Sequence, residues 1–298
     1  MSTSPGDLTL AQAAREAPAP LTDLGAIKVV IFDLDGTLHE DRRVTDYYAA
    51  ELEKVMRNGS GLSAEVEAIV NGTHPAARPG CFVEPSRGIV VQASQWTAES
   101  ASDWEGNPMP LPEDLQGRVR HNGPLRYLGD RWQLIGALAS HRGADHVVLR
   151  EAFTRARRFV NDQATALIRS EHLDDVLQRL GHGRRLLLAT NTPEELAQPL
   201  VQRLDMLTPF DVVRFDARKP AGCAELIAHA HQQWGTRPPE VLVVGDNLWN
   251  DLLPPAGQGC RTAHIDPLGT DPATRWSSAR YDDFSAFAAA LKEMPDGA

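Results

Sequence analysis

Two aspartates one residue apart, Asp33 and Asp35, sit in the stretch VVIFDLDGTLHED at residues 29–41. They follow an apolar run, Val29 to Phe32, that reads as a buried strand. Asp35-Gly36 is also a common dipeptide for a tight hairpin turn, which would make the pair purely structural. A hairpin needs a second apolar strand directly after the turn, whereas His39, Glu40, Asp41, Arg42 and Arg43 follow here. Carboxylates crowded at the carboxyl end of a strand suit a cation and a phosphate instead, because ligands of open parallel sheets bind beyond those ends.

That reading requires other segments to deliver polar groups to the same ends. The run RRLLLAT (184–190) ends in Thr190-Asn191, VVRF (212–215) is followed by Arg218-Lys219-Pro220, and VLVVGD (241–246) leads into GDNLWND with Asp246 and Asp251. Singly, each has a plain structural reading: a strand-end threonine, a solvated lysine, a helix-capping aspartate. Their order and placement carry the functional one. Converging carboxylates repel and raise one another's pKa, so a divalent cation is the natural neutraliser. Oxygen-only ligands point to Mg²⁺ rather than zinc.

DxDGT at the first strand, threonine at the second, Lys-Pro after the third and GDxxxxD at the fourth together resemble the haloacid dehalogenase-like superfamily of phosphohydrolases, over roughly residues 27–45 and 170–270. The resemblance implies that Asp33 is a nucleophile forming an aspartyl-phosphate and that Asp35 is general acid, then general base. It implies a Mg²⁺ site made by Asp33, the main-chain carbonyl of Asp35, Asp246 and Asp251. Thr190 and Asn191 would bind phosphate, and Lys219 would neutralise it together with the nucleophile. An acid at position 35 argues against the dehalogenase branch, which needs no proton donor there, and against the transport ATPases, which carry threonine. After Asp251 the chain departs from the family pattern: Pro254, Pro255 and Gln258-Gly259 replace small residues and an Ala-Gly pair, and Trp249 is bulky for its place.

The elements that must position these groups read as an α/β fold, a Rossmann-like parallel sheet with helices on both faces, plus a mainly α-helical cap. Strand runs alternate with helical patterns in the C-terminal part, with CRTAHI (260–265) as a weaker fifth strand. Thr192-Pro193-Glu194-Glu195 has the form of a capping box, which would employ Thr192 as a helix cap, with a kink or break expected at Pro199. The expected organisation is a flexible leader at 1–26 with one short helix after Thr9, a core at 27–44 and 171–298, and a cap at 45–170. Within the cap, 45–70 and 132–180 show helical spacing, including a stripe of Leu149, Ala152, Ala156, Phe159, Ala164 and Leu167, with Ser170 as a cap and Gly181 as a stop for a following helix. Residues 72–131 hold seven prolines and seven glycines with little periodicity, so they read as an irregular insert, an ordered lid rather than disorder, with a hint of strand at 88–92.

An insert directly after the first strand resembles the family members whose helical cap closes over the site, which favours a small phosphorylated metabolite as substrate. Arg42 and Arg43 are the expected substrate contacts, and His39 either packs near the hinge or touches the leaving group. Arg150, Arg155, Arg157 and Arg158 read as a solvated face paired with acids. The chain of 298 residues has a net charge of -10, which argues against a nucleic-acid partner. Three cysteines without CxxC spacing, no secretory pattern and no membrane-length apolar stretch place it in the cytoplasm, with no membrane partner. Oligomeric state is not encoded legibly. Beside Mg²⁺-dependent hydrolysis of a phosphate monoester stand a phosphomutase, a phosphonate hydrolase using Lys54, and a non-catalytic phosphometabolite-binding protein.

Overall fold

The computed structural model of the chain describes residues 19–120, 123–170, 172–270 and 276–296, and the helix expected after Thr9 lies outside them. Residues 19–26, expected within a flexible leader, are tied down instead. Leu21 and Leu24 are buried, and their amides donate to the carbonyls of Ser278 and Pro295. Leaving two leucines in water forgoes their burial free energy, and that outweighs the polar character of their neighbours. Two compact units emerge, residues 1–41 with 166–298, and residues 42–165. Among the described residues no helix is long and apolar enough to cross a membrane.

The first unit begins with β1 (Val29–Phe32), buried along its whole length. Its chain leaves for the second unit, which opens with α1 (Arg42–Val55) and α2 (Leu62–Val70), separated by the Asn-Gly-Ser-Gly stretch at 58–61. Six short strands follow: β2 (Phe82–Glu84), β3 (Ile89–Ser94), β4 (Thr97–Ser102), β5 (Pro108–Met109), β6 (Gly117–Arg118) and β7 (Arg126–Tyr127). They make an antiparallel sheet of order β5-β4-β3-β2-β7, with β6 also paired to β4. The stretch expected to be irregular is therefore an ordered sheet added to the helical part of this unit. Its strands are mostly two or three residues long, and β3 shifts register between Gln92 and Ala93, so no sustained alternation marks them in sequence. Aromatic packing holds the sheet, with Phe82 5.2 Å from Tyr127 and 6.2 Å from Trp96 between ring centroids.

The unit closes with α3 (Arg131–His141) and α4 (His146–Asn161), where Tyr47 of α1 stacks on Phe159 at 4.4 Å. Ala152, Ala156 and Val160 are buried along α4, while Ala164 and Leu167 of the expected stripe lie beyond its end. Of the basic cluster, Arg155 pairs with Glu51 at 2.9 Å as a half-exposed side chain would. Arg157 does the opposite: it is buried, with its guanidinium 4.8 Å from the Trp132 ring centre and 5.2 Å from that of Phe153. An arginine's flat cation stacks on aromatic faces, so a core of aromatics accommodates it where it would expel a lysine.

The first unit resumes with α5 (Leu173–Gly181), β8 (Arg185–Ala189), α6 (Glu194–Arg203), β9 (Val212–Arg214), α7 (Cys223–Trp234), β10 (Val241–Gly245), α8 (Leu253–Gly257), β11 (Arg261–Ile265), β12 (Ala279–Tyr281) and α9 (Phe284–Glu293). The sheet is parallel, in the order β12-β11-β10-β1-β8-β9. Strands buried on both faces need apolar residues at every position, which is why β1, β8 and β10 read as unbroken runs. The chain goes outward from β1 through β8 and β9, then returns to the other side of β1 for β10, so the strand order reverses between β1 and β10. That is where an open parallel sheet presents its ligand crevice.

Three local expectations change. Of the kink or break expected at Pro199, the break does not occur, since Pro199 lies inside α6. That helix starts after Pro193 with no side-chain cap, so Thr192 does not cap it. Ser170 is not the cap of α5 either: His172 holds that position, and its amide donates to the Ser170 hydroxyl at 3.4 Å.

Candidate active site

Asp33 is the first residue beyond β1, Thr190 the first beyond β8 and Asp246 the first beyond β10. The in-register pairing of Phe32 with Leu188 and Val244 places these three tips side by side, and the Asp33 amide continues the ladder to the Val244 carbonyl at 2.9 Å. Asp251 joins them from the widened helical turn Leu248–Leu252, where its carboxylate accepts from the Asn247 amide at 3.1 Å. Such π-type turns rotate side chains relative to an α-helix and recur at functional sites. Trp249 is buried in this turn, so its bulk is taken up by the core. Asp33, Asp246 and Asp251 each offer a carboxylate oxygen, and these oxygens lie within 4.8 Å of one another.

Two glycines let the backbone come this close. At Gly36, φ is 84°, and a Cβ would stand 2.0 Å from Asp246 Oδ2. At Gly245 a Cβ would stand 2.7 Å from the Asp251 Cβ. Only the residue lacking a side chain fits either place.

Lys219 bridges the acids, with Nζ 2.6 Å from Asp33 Oδ1 and 2.8 Å from Asp251 Oδ1, all three side chains buried. Burial pushes the Asp33 carboxyl up; Lys219 opposes this, while Asp251 and Asp35 add to it, and the carboxyl is held above the ordinary carboxylate range. For Lys219 burial works against the charge, but Asp251 and Asp33 outweigh it and hold the ammonium above the ordinary lysine value. The lysine therefore remains a fixed cation at neutral pH. Its loop is held open in a costly backbone shape, with Asp216 at φ 47° and Arg218 at φ 54°. Asn191 secures it from both sides: its side-chain amide donates to the Lys219 carbonyl at 2.8 Å, and its oxygen accepts from the Lys219 amide at 2.7 Å. Asn191, expected to bind phosphate, thus also places Lys219, with one of its two side-chain N–H groups and its oxygen engaged there.

Thr190 is buried, and its hydroxyl oxygen accepts from the Thr192 amide at 3.1 Å. An oxygen oriented in this way directs its own proton elsewhere. The Thr192 hydroxyl donates to Asp35 Oδ2 at 3.3 Å. Asp35 Oδ1 faces His39 Nδ1 at 3.9 Å, too far for a hydrogen bond, and His39 is buried in the first unit. Arg42 and Arg43 open α1 in the second unit, where Arg42 pairs with Asp46 at 3.3 Å and Glu67 at 2.8 Å.

Sequence reasoning missed three residues of this site. Gly36 was visible within DxDGT, but its reason, the Asp246 carboxylate, was not. Thr192 was visible only as a helix cap. His264, whose Nε2 lies 3.0 Å from the Asp246 carbonyl, had no sequence signal beyond sitting on a weak strand.

The three carboxylates form an oxygen-only donor set, two of them paired with a buried ammonium, and the glycine contacts show a backbone shaped to hold them together. This fits a hard divalent cation. A family model described as haloacid dehalogenase-like hydrolase matches residues 27–257. No curated protein matches the chain. In fold it is similar to YfnB of Bacillus subtilis, an HAD hydrolase described as bound to magnesium, with 14% identity, a TM-score of 0.51, and coverage of 89% of this chain and 99% of that one. It is also similar to a protein described as a predicted phosphoglycolate phosphatase from Haemophilus somnus (17% identity, TM-score 0.48, 90% and 97% covered). A further likeness is to the L-2-haloacid dehalogenase of Xanthobacter autotrophicus (16% identity, TM-score 0.44, 90% and 99% covered). With the match of the family model spanning most of its length, the chain belongs to the haloacid dehalogenase-like hydrolases.

Proposed function

We propose that the chain is a Mg²⁺-dependent phosphomonoesterase working through an aspartyl-phosphate, on a small phosphorylated metabolite. The observation that carries this reading is the cluster of Asp33, Asp246 and Asp251, with Lys219 paired to Asp33 and Asp251 and Asp35 two residues from the nucleophile. A dianionic phosphate approaching three carboxylates needs cationic neutralisation, whereas displacement of halide from a carbon centre by a carboxylate does not. An acid beside the nucleophile serves an alcohol leaving group and has no task with a halide.

In this mechanism Asp33 attacks phosphorus, and the bond to the leaving oxygen breaks. Asp35 gives that oxygen a proton, then takes one from the water that hydrolyses the acyl phosphate. Lys219 and the Thr190 hydroxyl offset charge on the phosphoryl oxygens. Asp33, the Asp35 carbonyl, Asp246 and Asp251 would hold Mg²⁺, which supplies charge neutralisation at the phosphoryl group and keeps Asp33 ionised. The second unit is inserted just after β1, the point from which the family resemblance implies a cap. Arg42 and Arg43 are the proposed contacts to the rest of the substrate; Arg42 would take that role by exchanging its Asp46 and Glu67 partners. Phosphonate cleavage is disfavoured because Lys54, the lysine it would require, is exposed and paired with Glu51 at 2.6 Å.

The test is a panel of phosphate esters and 2-haloacids assayed with and without Mg²⁺. Phosphate release that needs Mg²⁺ and falls by about 10⁴-fold or more in Asp33→Asn is expected. Halide release without metal, or no phosphate from any ester, overturns the reading.

A further inference from the structure

The sequence TPEE at 192–195 is what a helix N-terminus asks for, and yet α6 starts with no side chain capping it. A threonine cap satisfies an otherwise unpaired amide at a helix start, so diverting one calls for a reason. The Thr192 hydroxyl instead reaches Asp35, 157 positions earlier in the chain, at 3.3 Å. Its backbone is held on both sides: the amide donates to the Thr190 hydroxyl at 3.1 Å, and the carbonyl accepts from the Asp216 amide at 3.2 Å. The side chain is buried. A rigid, water-excluded donor fixed on one oxygen of a carboxyl group orients that group far better than a mobile solvent molecule.

We infer that Thr192 is a positioning residue for proton transfer by Asp35; this rests on the phosphomonoesterase reading. With Oδ2 accepting from Thr192, the proton of the acid form is carried on Oδ1. When Asp33 bonds to phosphorus and the ester oxygen departs with the bonding pair, that Oδ1 proton passes to the alkoxide and leaves Asp35 a carboxylate. In the second half, Asp35 takes a proton from water as the water oxygen bonds to phosphorus and the Asp33–phosphorus bond breaks. Each of three consecutive residues then serves a different group: Thr190 the phosphate, Asn191 the Lys219 loop and Thr192 the proton carrier.

Leaving-group dependence separates this role from a merely structural one. Single-turnover release is followed from 4-nitrophenyl phosphate, whose leaving group departs as a stable anion, and from benzyl phosphate, whose alkoxide must be protonated. Thr192→Val keeps the side chain's shape and removes the donor; Thr192→Ser keeps the donor. In Thr192→Val we expect benzyl alcohol release to slow about 10- to 100-fold, as fits losing one hydrogen bond to a charged group, with nitrophenol release within about twofold of wild type. Thr192→Ser should restore the benzyl rate. Equal slowing of both esters, no slowing of either, or a serine variant no better than valine overturns the inference while phosphate release by wild type keeps the phosphatase reading intact. If wild type releases phosphate from neither ester, both fall together.

Discussion

The two sheets of this molecule solve opposite problems. The parallel sheet of the first unit buries β1, β8 and β10 almost throughout and gathers acids and a threonine at one row of strand tips, where Asp33, Thr190 and Asp246 sit side by side. The antiparallel sheet of the second unit is built from mostly two- and three-residue strands around an aromatic cluster of Phe82, Trp96 and Tyr127. The first is locally unfavourable and globally secure. Buried like charges, left-handed non-glycine residues at Asp216 and Arg218 and glycines pressed against carboxylates are tolerated because the surrounding strands leave the tips nowhere to relax. The second also holds left-handed non-glycine residues, Gln95 and Trp96 in the turn between β3 and β4, and its cohesion comes from ring packing. Rigid scaffolding with frustrated ends is what electrostatic catalysis requires, because preorganised charge does not have to reorganise during reaction.

The contrast can be broken most sharply at Lys219. Replacing it with methionine leaves Asp33 and Asp251 as buried acids without their shared cation, so Lys219→Met should cost about 3–5 kcal/mol by denaturant unfolding of the metal-free protein. Added Mg²⁺ should recover part of that loss. A Lys219→Met protein as stable as wild type without metal would mean the tips are not under charge stress.

In the second unit the matching change is Trp96→Ala, a buried ring whose loss should cost about 3–4 kcal/mol. Hydrogen exchange should show the amides of β2, β3 and β7 losing protection while those of β1, β8 and β10 keep theirs. Uniform loss across both sheets would deny the units separate cohesion.

A smaller effect is expected at Gly36→Ala. The left-handed backbone alone costs about 1–2 kcal/mol, and the new methyl must displace Asp246. Divalent-cation affinity, measured by calorimetry, should fall at least tenfold. Unchanged affinity would remove Asp246 from the metal site.

The smallest effect is at Glu240, far from chemistry, where Lys28 at 2.8 Å and the Arg237 amide hold the carboxyl down to about 2. A depressed carboxyl contributes stability that is fully present above its ordinary value of 4.5 and is lost as pH falls toward 2. Melting curves of wild type and Glu240→Gln should therefore differ at pH 6 and converge as pH is lowered through that window. Curves that diverge on acidification would reverse the assignment.

How much of this was legible follows the same division. The strands β1, β8 and β10 announce themselves because double-sided burial demands unbroken apolar runs, and the tips announce themselves because acids, threonine and lysine interrupt those runs abruptly. The second unit's sheet stayed hidden: strands this short, with a register shift in β3, leave no period for a sequence to display. Leu21 and Leu24 were hidden for a related reason, since two leucines in a proline- and alanine-rich stretch show no periodicity until a partner surface exists.

The chain's order of residues was sufficient to specify which chemical groups arrive at the strand ends and in what succession. Only folding decided what those groups do for one another. That Asn191 serves Lys219, that Thr192 leaves its helix for Asp35, and that Gly36 must be bare because of Asp246 are facts about residues brought together by sheet register from 28, 157 and 210 positions apart. Local preference acts over a few residues, so contacts across such spans are set by packing of the whole sheet and by nothing nearer in the chain.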